Sequence, residues 1–445
     1  MTGPLHRPAL PGPRRRRALL VGGVVLAVAV AVAGTLVFVA GRATRDVSPP
    51  DTAAPALARY GPLEALLTRR GDAVVDHDRK AFMATVDPRA SRFRRAQSRM
   101  FADLSRVRFA SWDYAMSVAG RRPPADASRY DGDVWAPRDL TLGYRLAGFD
   151  ARPTNLRQYP TFVQRQGHWY LASLSDYASR GLVSASDLWD YGPVSVVRRS
   201  DVLVLGPPSQ HATMVGVAAD VQTAVPQVTS VWGSDWPQRA VVLLPRTMRE
   251  MALIDQDHED LRDIAALTSA EIDDTAGNPA PVGDRITVNP RNWPKLSPLG
   301  QQVVLRHELT HVASESVTGS RMPTWLVEGL AEYVGFKFAD VAVPAAASEL
   351  QRAVRNGYLP SRLPPDAGFR GSAKQLAVNY EAAWLACRMI AERFGQTKLV
   401  RFYRAVGTST MRPRAAVREA LAGVLHLRLA RLIALWRASM RLELA

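Results

Sequence analysis

The residues best able to do chemistry in this chain lie together in His307-Glu308-Leu309-Thr310-His311. On a helix, side chains four apart project from one face, one turn apart, so both imidazoles reach toward a common point. Two nitrogens placed this way can bind one zinc ion at about 2.0–2.1 Å. Glu308, beside His307, is then placed to take a proton from water at the metal without ligating the metal itself. The plain alternative is a helix with two surface histidines, and a third ligand nearby would separate the two readings. Ser297-Pro298 supplies a start for that helix, with serine as N-cap and proline at the first helical position.

The third ligand cannot come from an HExxHxxGxxH extension, because Ser314 and Val317 occupy the positions that would need glycine and histidine. A short way downstream comes PTWLVEGLAEYVGF, Pro323 to Phe336. This segment resembles the WLxEGxAEY segment of gluzincin-type (peptidase MA-like) zinc metallopeptidases, the broad family that includes the membrane aminopeptidases. The resemblance implies Zn2+ as cofactor, His307, His311 and Glu328 as metal ligands, and Glu308 as general base. It implies for Glu332 a partner role, accepting the other ring N–H of a ligating histidine and so fixing its tautomer. It also implies an oxyanion donor on a later helix, for which Tyr380 in NYEAAWLACRMIAERFG is the candidate. Leu376, Tyr380, Trp384, Cys387 and Phe394 equally form one helical stripe that reads as core. The resemblance is close over Val303 to Gly335 and loose over Ser200 to Ala445. The strand GDRITVNP precedes the zinc helix, as the substrate-aligning edge strand does in such enzymes. The GxMEN-type segment of the aminopeptidases is not found, which tilts the expectation toward an endopeptidase.

Around these residues the chain is built like an ordinary globular protein. Of its 445 residues, 47% are hydrophobic and 22% charged, so two folded domains with sizeable cores are expected. The formal charge of +16 comes from arginine, since only five residues are lysine. Apart from the run Arg14 to Arg17 the arginines are scattered along the chain and form no aromatic-interleaved patch, so the charge distribution argues against nucleic-acid binding. The single cysteine, Cys387, excludes an intrachain disulfide and reads as a small buried apolar residue. Ala18 to Ala40 carries no charge and no proline, and as a helix its 23 residues span about 34 Å, enough to cross a membrane. Arg7 and the run of four arginines before it, against Arg42 and Arg45 after it, predict a cytoplasmic N-terminus. The length of the apolar run favours an uncleaved anchor over a secretory signal.

The expected organisation is therefore a basic cytoplasmic tail (1–17), a transmembrane helix (18–40), a Pro- and Ala-rich linker (41–58), an α+β module (59–195) and a metallopeptidase domain (196–445). Helical periodicity in LEALLTRRGDAVVDHDRKAFMATV and RRAQSRMFADL is followed by strand-like VRFASWDYAMSV, LTLGYRLAGF and QYPTFVQRQGHWYLASL. That order resembles the cone-shaped nuclear-transport-factor-2-like domains. After residue 200, DVLVLG, AVVLLP and GDRITVNP read as strands, and the chain beyond Ser297 as mainly helical, an α+β arrangement. The fold class expected is α+β throughout, with one transmembrane helix at the N-terminus. The functional expectation is a single-pass, extracytoplasmic zinc endopeptidase acting on peptides or proteins in or outside the cell envelope. The alternative is an envelope-anchored binding protein that keeps a structural zinc and performs no catalysis.

Overall fold

The computed structural model describes residues 53–255, 261, 264–273, 280–319, 322–369 and 375–445. Three helices open the described chain: α1 (Ala53–Val75), α2 (Arg79–Ala84) and α3 (Ser91–Leu104). The long helical pattern predicted across residues 63–86 is broken in two, because His77 takes a left-handed φ of 56° and Asp78 caps α2 through the N–H of Ala81. Six strands follow: β1 (Phe109–Met116), β2 (Asp133–Trp135), β3 (Leu140–Leu146), β4 (Thr154–Gln158), β5 (Thr161–Arg165) and β6 (His168–Ser173). They form two antiparallel three-stranded sheets, ordered β1-β3-β4 and β2-β5-β6. The β5–β6 hairpin turns at Gly167, whose φ of 82° suits a residue without a Cβ.

The second half is built on a five-stranded sheet ordered β10-β11-β9-β8-β7. Its strands are β7 (Ser195–Arg198), β8 (Val202–Gly206), β9 (Ala240–Leu243), β10 (Ala266–Asp273) and β11 (Ala280–Val288). β8, β9 and β11 run parallel, while β7 and β10 pair antiparallel at the two edges. Helix α4 (His211–Trp232) crosses over between β8 and β9, and α5 (Met248–Ile254) follows β9. The rest is helical: α6 (Pro298–Ser314), α7 (Thr324–Lys337), α8 (Val343–Ala346), α9 (Ser348–Arg355), α10 (Leu376–Phe394), α11 (Gln396–Gly407), α12 (Pro413–Ala420) and α13 (Leu429–Leu444).

Period-two alternation explains why β8 and β9 are apolar at every position. Val202, Val204, Ala240 and Val242 face the large core made with α4, α6, α7 and α10. Leu203, Leu205, Val241 and Leu243 face the other way, into a core shared with Phe109, Trp112, Tyr144 and Trp189 of the first half. Strands buried on both faces need continuous apolar runs. The four aromatic rings meet at centroid distances of 4.9–5.9 Å. Beside them, Arg285 of β11 makes two 2.8 Å bonds to Asp150 and a third, of 3.0 Å, to Thr154. Gly283 has a φ of 68°, and a Cβ there would lie 2.3 Å from Thr154 Oγ1, so β11 and β4 meet too closely for a side chain.

Two expectations are corrected. The fold is a mixture of helix and sheet in which no helix among the described residues is long and apolar enough to cross a membrane. The fold class drawn with a transmembrane helix, and the single-pass localisation that followed from it, are therefore not what this structure presents. The segment 18–40 that suggested them lies outside the described residues, as do the tail and most of the linker. The second correction concerns the strand before the zinc helix. GDRITVNP belongs to β11, an interior strand, and the edge position is taken by β10.

Candidate metal centre

Helix α6 begins where the sequence places it, with Ser297 Oγ accepting the N–H of Gly300 and Pro298 in the first turn. From Val303 to Ser314 every residue is buried, so this helix runs through the core and carries its polar groups with it. Such groups must find partners inside the protein. Helix α7 lies against it closely because Gly335 has no side chain; a Cβ there would sit 3.1 Å from Val303 O. Arg306 Nε closes the contact by donating to Gly335 O at 2.8 Å. On its other side α7 meets α10 at Gly329, where a Cβ would lie 2.5 Å from Ala383 O.

This packing brings Glu328 opposite the histidine pair. His307 Nε2 and His311 Nε2 are 2.9 Å apart, and Glu328 Oε2 lies 3.4 Å from the first and 3.7 Å from the second. Among the described residues these three form the one group of His, Cys, Asp or Glu side chains able to hold a metal ion. An ion bound tetrahedrally at about 2.0–2.1 Å keeps its ligand atoms about 3.3–3.4 Å apart, the size of this triangle. Glu328 Oε2 is buried with no hydrogen-bond partner among the described residues, as expected of an oxygen whose partner is a cation. Two imidazoles and one carboxylate are a donor set that catalytic zinc takes. The residues present fit Zn2+.

The electrostatics point the same way. Burial, with a contribution from His311, holds His307 well below the usual imidazole pKa, and burial alone takes His311 down to about 3. Both rings are thus neutral and have lone pairs to offer. Burial also lifts Glu328 and Glu332 well above the ordinary carboxylate range, with Glu308 adding to both and Glu332 and Glu381 each adding to a neighbour. Several carboxyl groups confined together without water gain most from a divalent cation.

Glu332 Oε1 stands 3.6 Å from His307 Nδ1, the ring nitrogen that does not face Glu328. Glu308 is completely buried, and burial pushes its pKa up to about 8 against the opposing bonds from Thr268. Thr268 Oγ1, on β10, lies 2.8 Å from Glu308 Oε2, while Glu308 Oε1 has no partner among the described residues. Tyr380 is 2% exposed and meets Phe369 edge-on at 5.1 Å, on the helix that packs along α7. The next residue, Glu381, accepts the N–H groups of Glu349 and Leu350 and so caps α9 from outside.

Sequence reasoning missed Thr268 and Glu381. The first sits in ALTSAEID, whose mixed polarity hides a strand, and neither residue is near the histidines in sequence. Asp255 accepts from Ser269 Oγ at 3.0 Å.

No protein-family model matches this chain, and no curated protein matches it. Among solved structures it is similar to a variant of a two-domain M1 zinc metallopeptidase bound to L-arginine, at 15% identity and a TM-score of 0.33. It is also similar to the M1 zinc metallopeptidase of Deinococcus radiodurans, at 14% identity and a TM-score of 0.32. Each likeness covers 62% of this chain, and the chain spans 58% of those structures. At scores this low the likeness transfers no property to this chain.

Proposed function

We propose that this chain is a zinc-dependent peptidase that cleaves within polypeptides, with Glu308 as its general base. The observation that carries the reading is the buried triangle of His307, His311 and Glu328, with a carboxyl oxygen of Glu308 that has no partner among the described residues beside it. When bound, zinc supplies a Lewis acid that polarises a carbonyl and acidifies water to a pKa of about 7. His307, His311 and Glu328 hold it, and Glu332 orients the His307 ring through Nδ1. Glu308 takes a proton from the attacking water and returns it to the leaving amine, the two halves of general acid–base catalysis. Tyr380 is the proposed donor to the developing oxyanion. The edge of β10 supports an endopeptidase, because an extended chain can add there as a further strand without presenting a terminus.

The test is hydrolysis of a peptide library by the full chain beside its Glu308→Gln variant, with zinc content measured in both. Chelator-sensitive cleavage by the parent alone, at equal zinc content, is expected. A parent that binds zinc and cleaves nothing, or a variant that cleaves as well, would overturn the reading.

A further inference from the structure

The carboxyl of Glu308 accepts from the hydroxyl of Thr268, and the position of that hydroxyl has consequences for the peptidase reading on which this inference rests. Thr268 Oγ1 is 2.8 Å from Glu308 Oε2 and 3.1 Å from the main-chain oxygen of the same residue. Threonine is 7% exposed here, and its strand pairs it with Ile286 of β11, so its backbone is fixed. A β-branched side chain on a fixed backbone has few rotamers left. Glu308 Oε1, by contrast, has no partner among the described residues.

We propose that Thr268 is the positioning residue of Glu308, pinning Oε2 so that Oε1 alone exchanges protons with the reacting groups. A hydroxyl has one proton to give and two lone pairs with which to accept. While Glu308 is a carboxylate, Thr268 donates to Oε2. When the proton from water sits on Oε1, Oε2 remains an acceptor and keeps that bond. Should the proton settle on Oε2, the carboxyl donates to Oγ1 and the threonine proton turns to Glu308 O, 3.1 Å away. The carboxyl therefore keeps a partner in each form and has no reason to rotate between taking the proton and giving it to the amine. The proton gained from water is the proton lost to the amine, and the threonine's own proton is never transferred. Because β10 is also the edge strand, the strand available to an extended substrate is the one that aims the base.

Valine has the shape of threonine without the hydroxyl, and serine keeps the hydroxyl without the second branch. Thr268→Val should lower kcat by about 10–100-fold, the usual effect of removing a group that orients a catalytic one. KM and zinc affinity by chelator competition should stay at parental values, and Thr268→Ser should recover most of kcat. In crystal structures of the zinc-loaded proteins, Glu308 should keep its place in the serine variant and leave it in the valine variant. An unmoved Glu308 or an unchanged kcat in Thr268→Val would overturn the proposal. If valine prevents folding, Thr268→Ala carries the same expectations. If the parent cleaves no peptide, the peptidase reading fails, and the placement of Glu308 in the crystal structures still decides the role of Thr268.

Discussion

A methyl group at Gly329 would sit 2.5 Å from Ala383 O and 2.8 Å from Cys387 Sγ. Alanine ordinarily favours a helix over glycine by about 1 kcal/mol, while overpacking a core costs about 1–3 kcal/mol. The obstacle here is a backbone carbonyl that cannot swing aside, so the clash wins. Gly329→Ala is expected to lower the urea midpoint and to weaken zinc binding, since Glu328 is its neighbour; urea titration and chelator competition check both. Glu381 gives a prediction in pH. Burial raises its pKa to about 7, against the bonds from Leu350 and Glu349 that lower it. The folded state thus holds a proton that the unfolded state has released above about pH 4. The stability from this group is complete below that pH and is lost as pH rises through 7, at up to about 1.4 kcal/mol per pH unit. Glu381→Gln should flatten that slope in urea titrations between pH 4.5 and 7. At this scale the sequence was informative where spacing alone decides, as for His307 and His311. It was silent on Thr268, whose meaning depends on a contact with a residue 40 positions away.

At the scale of elements, most of the strands and helices that surround the metal site were legible. PTWLVEGLAEYVGF became α7, and DVLVLG and AVVLLP became two interior strands. Their order in the sheet was not legible. β11 directly precedes α6 in the chain and invites the edge position, yet hydrogen bonding places it between β10 and β9. Neighbourhood in a sheet is a tertiary property, and β10 has too mixed a composition to announce itself. The packing of α7 on α10 can be probed through Cys387, which is fully buried and whose thiol burial pushes well above the usual range. The native protein is expected to show no reactive thiol toward a disulfide reagent, and one after unfolding. Zinc should slow the native reaction further, because a ligand bound only by the folded state suppresses opening. A thiol that reacts at once in the native protein would show that the two helices part freely.

Across the whole molecule, the two halves are joined by a buried ion pair as well as by apolar contact. Arg285 and Asp150 have side chains only 6% and 4% exposed. Removing one partner of such a pair leaves a buried charge and costs about 3–5 kcal/mol. Asp150→Asn should therefore destabilise the chain by that order, and unfolding should remain one transition when followed by both near- and far-ultraviolet circular dichroism. Two separated transitions would show that the halves are held together less firmly than the shared core implies. The apolar run at 18–40 was as legible as any motif, but an apolar run is only a composition, and the helices that are described do not include a membrane span. The sheet that both halves cover also bears on how this protein can be handled or divided. A gene fragment starting near residue 196 would encode every metal ligand, yet its product would display Leu203, Leu205, Val241 and Leu243 side by side with nothing over them. A naked strand surface of that kind recruits other copies of itself. Such a fragment is expected to come out of cells as inclusion bodies, so loss of activity on truncation would report aggregation and say nothing about what the first half recognises.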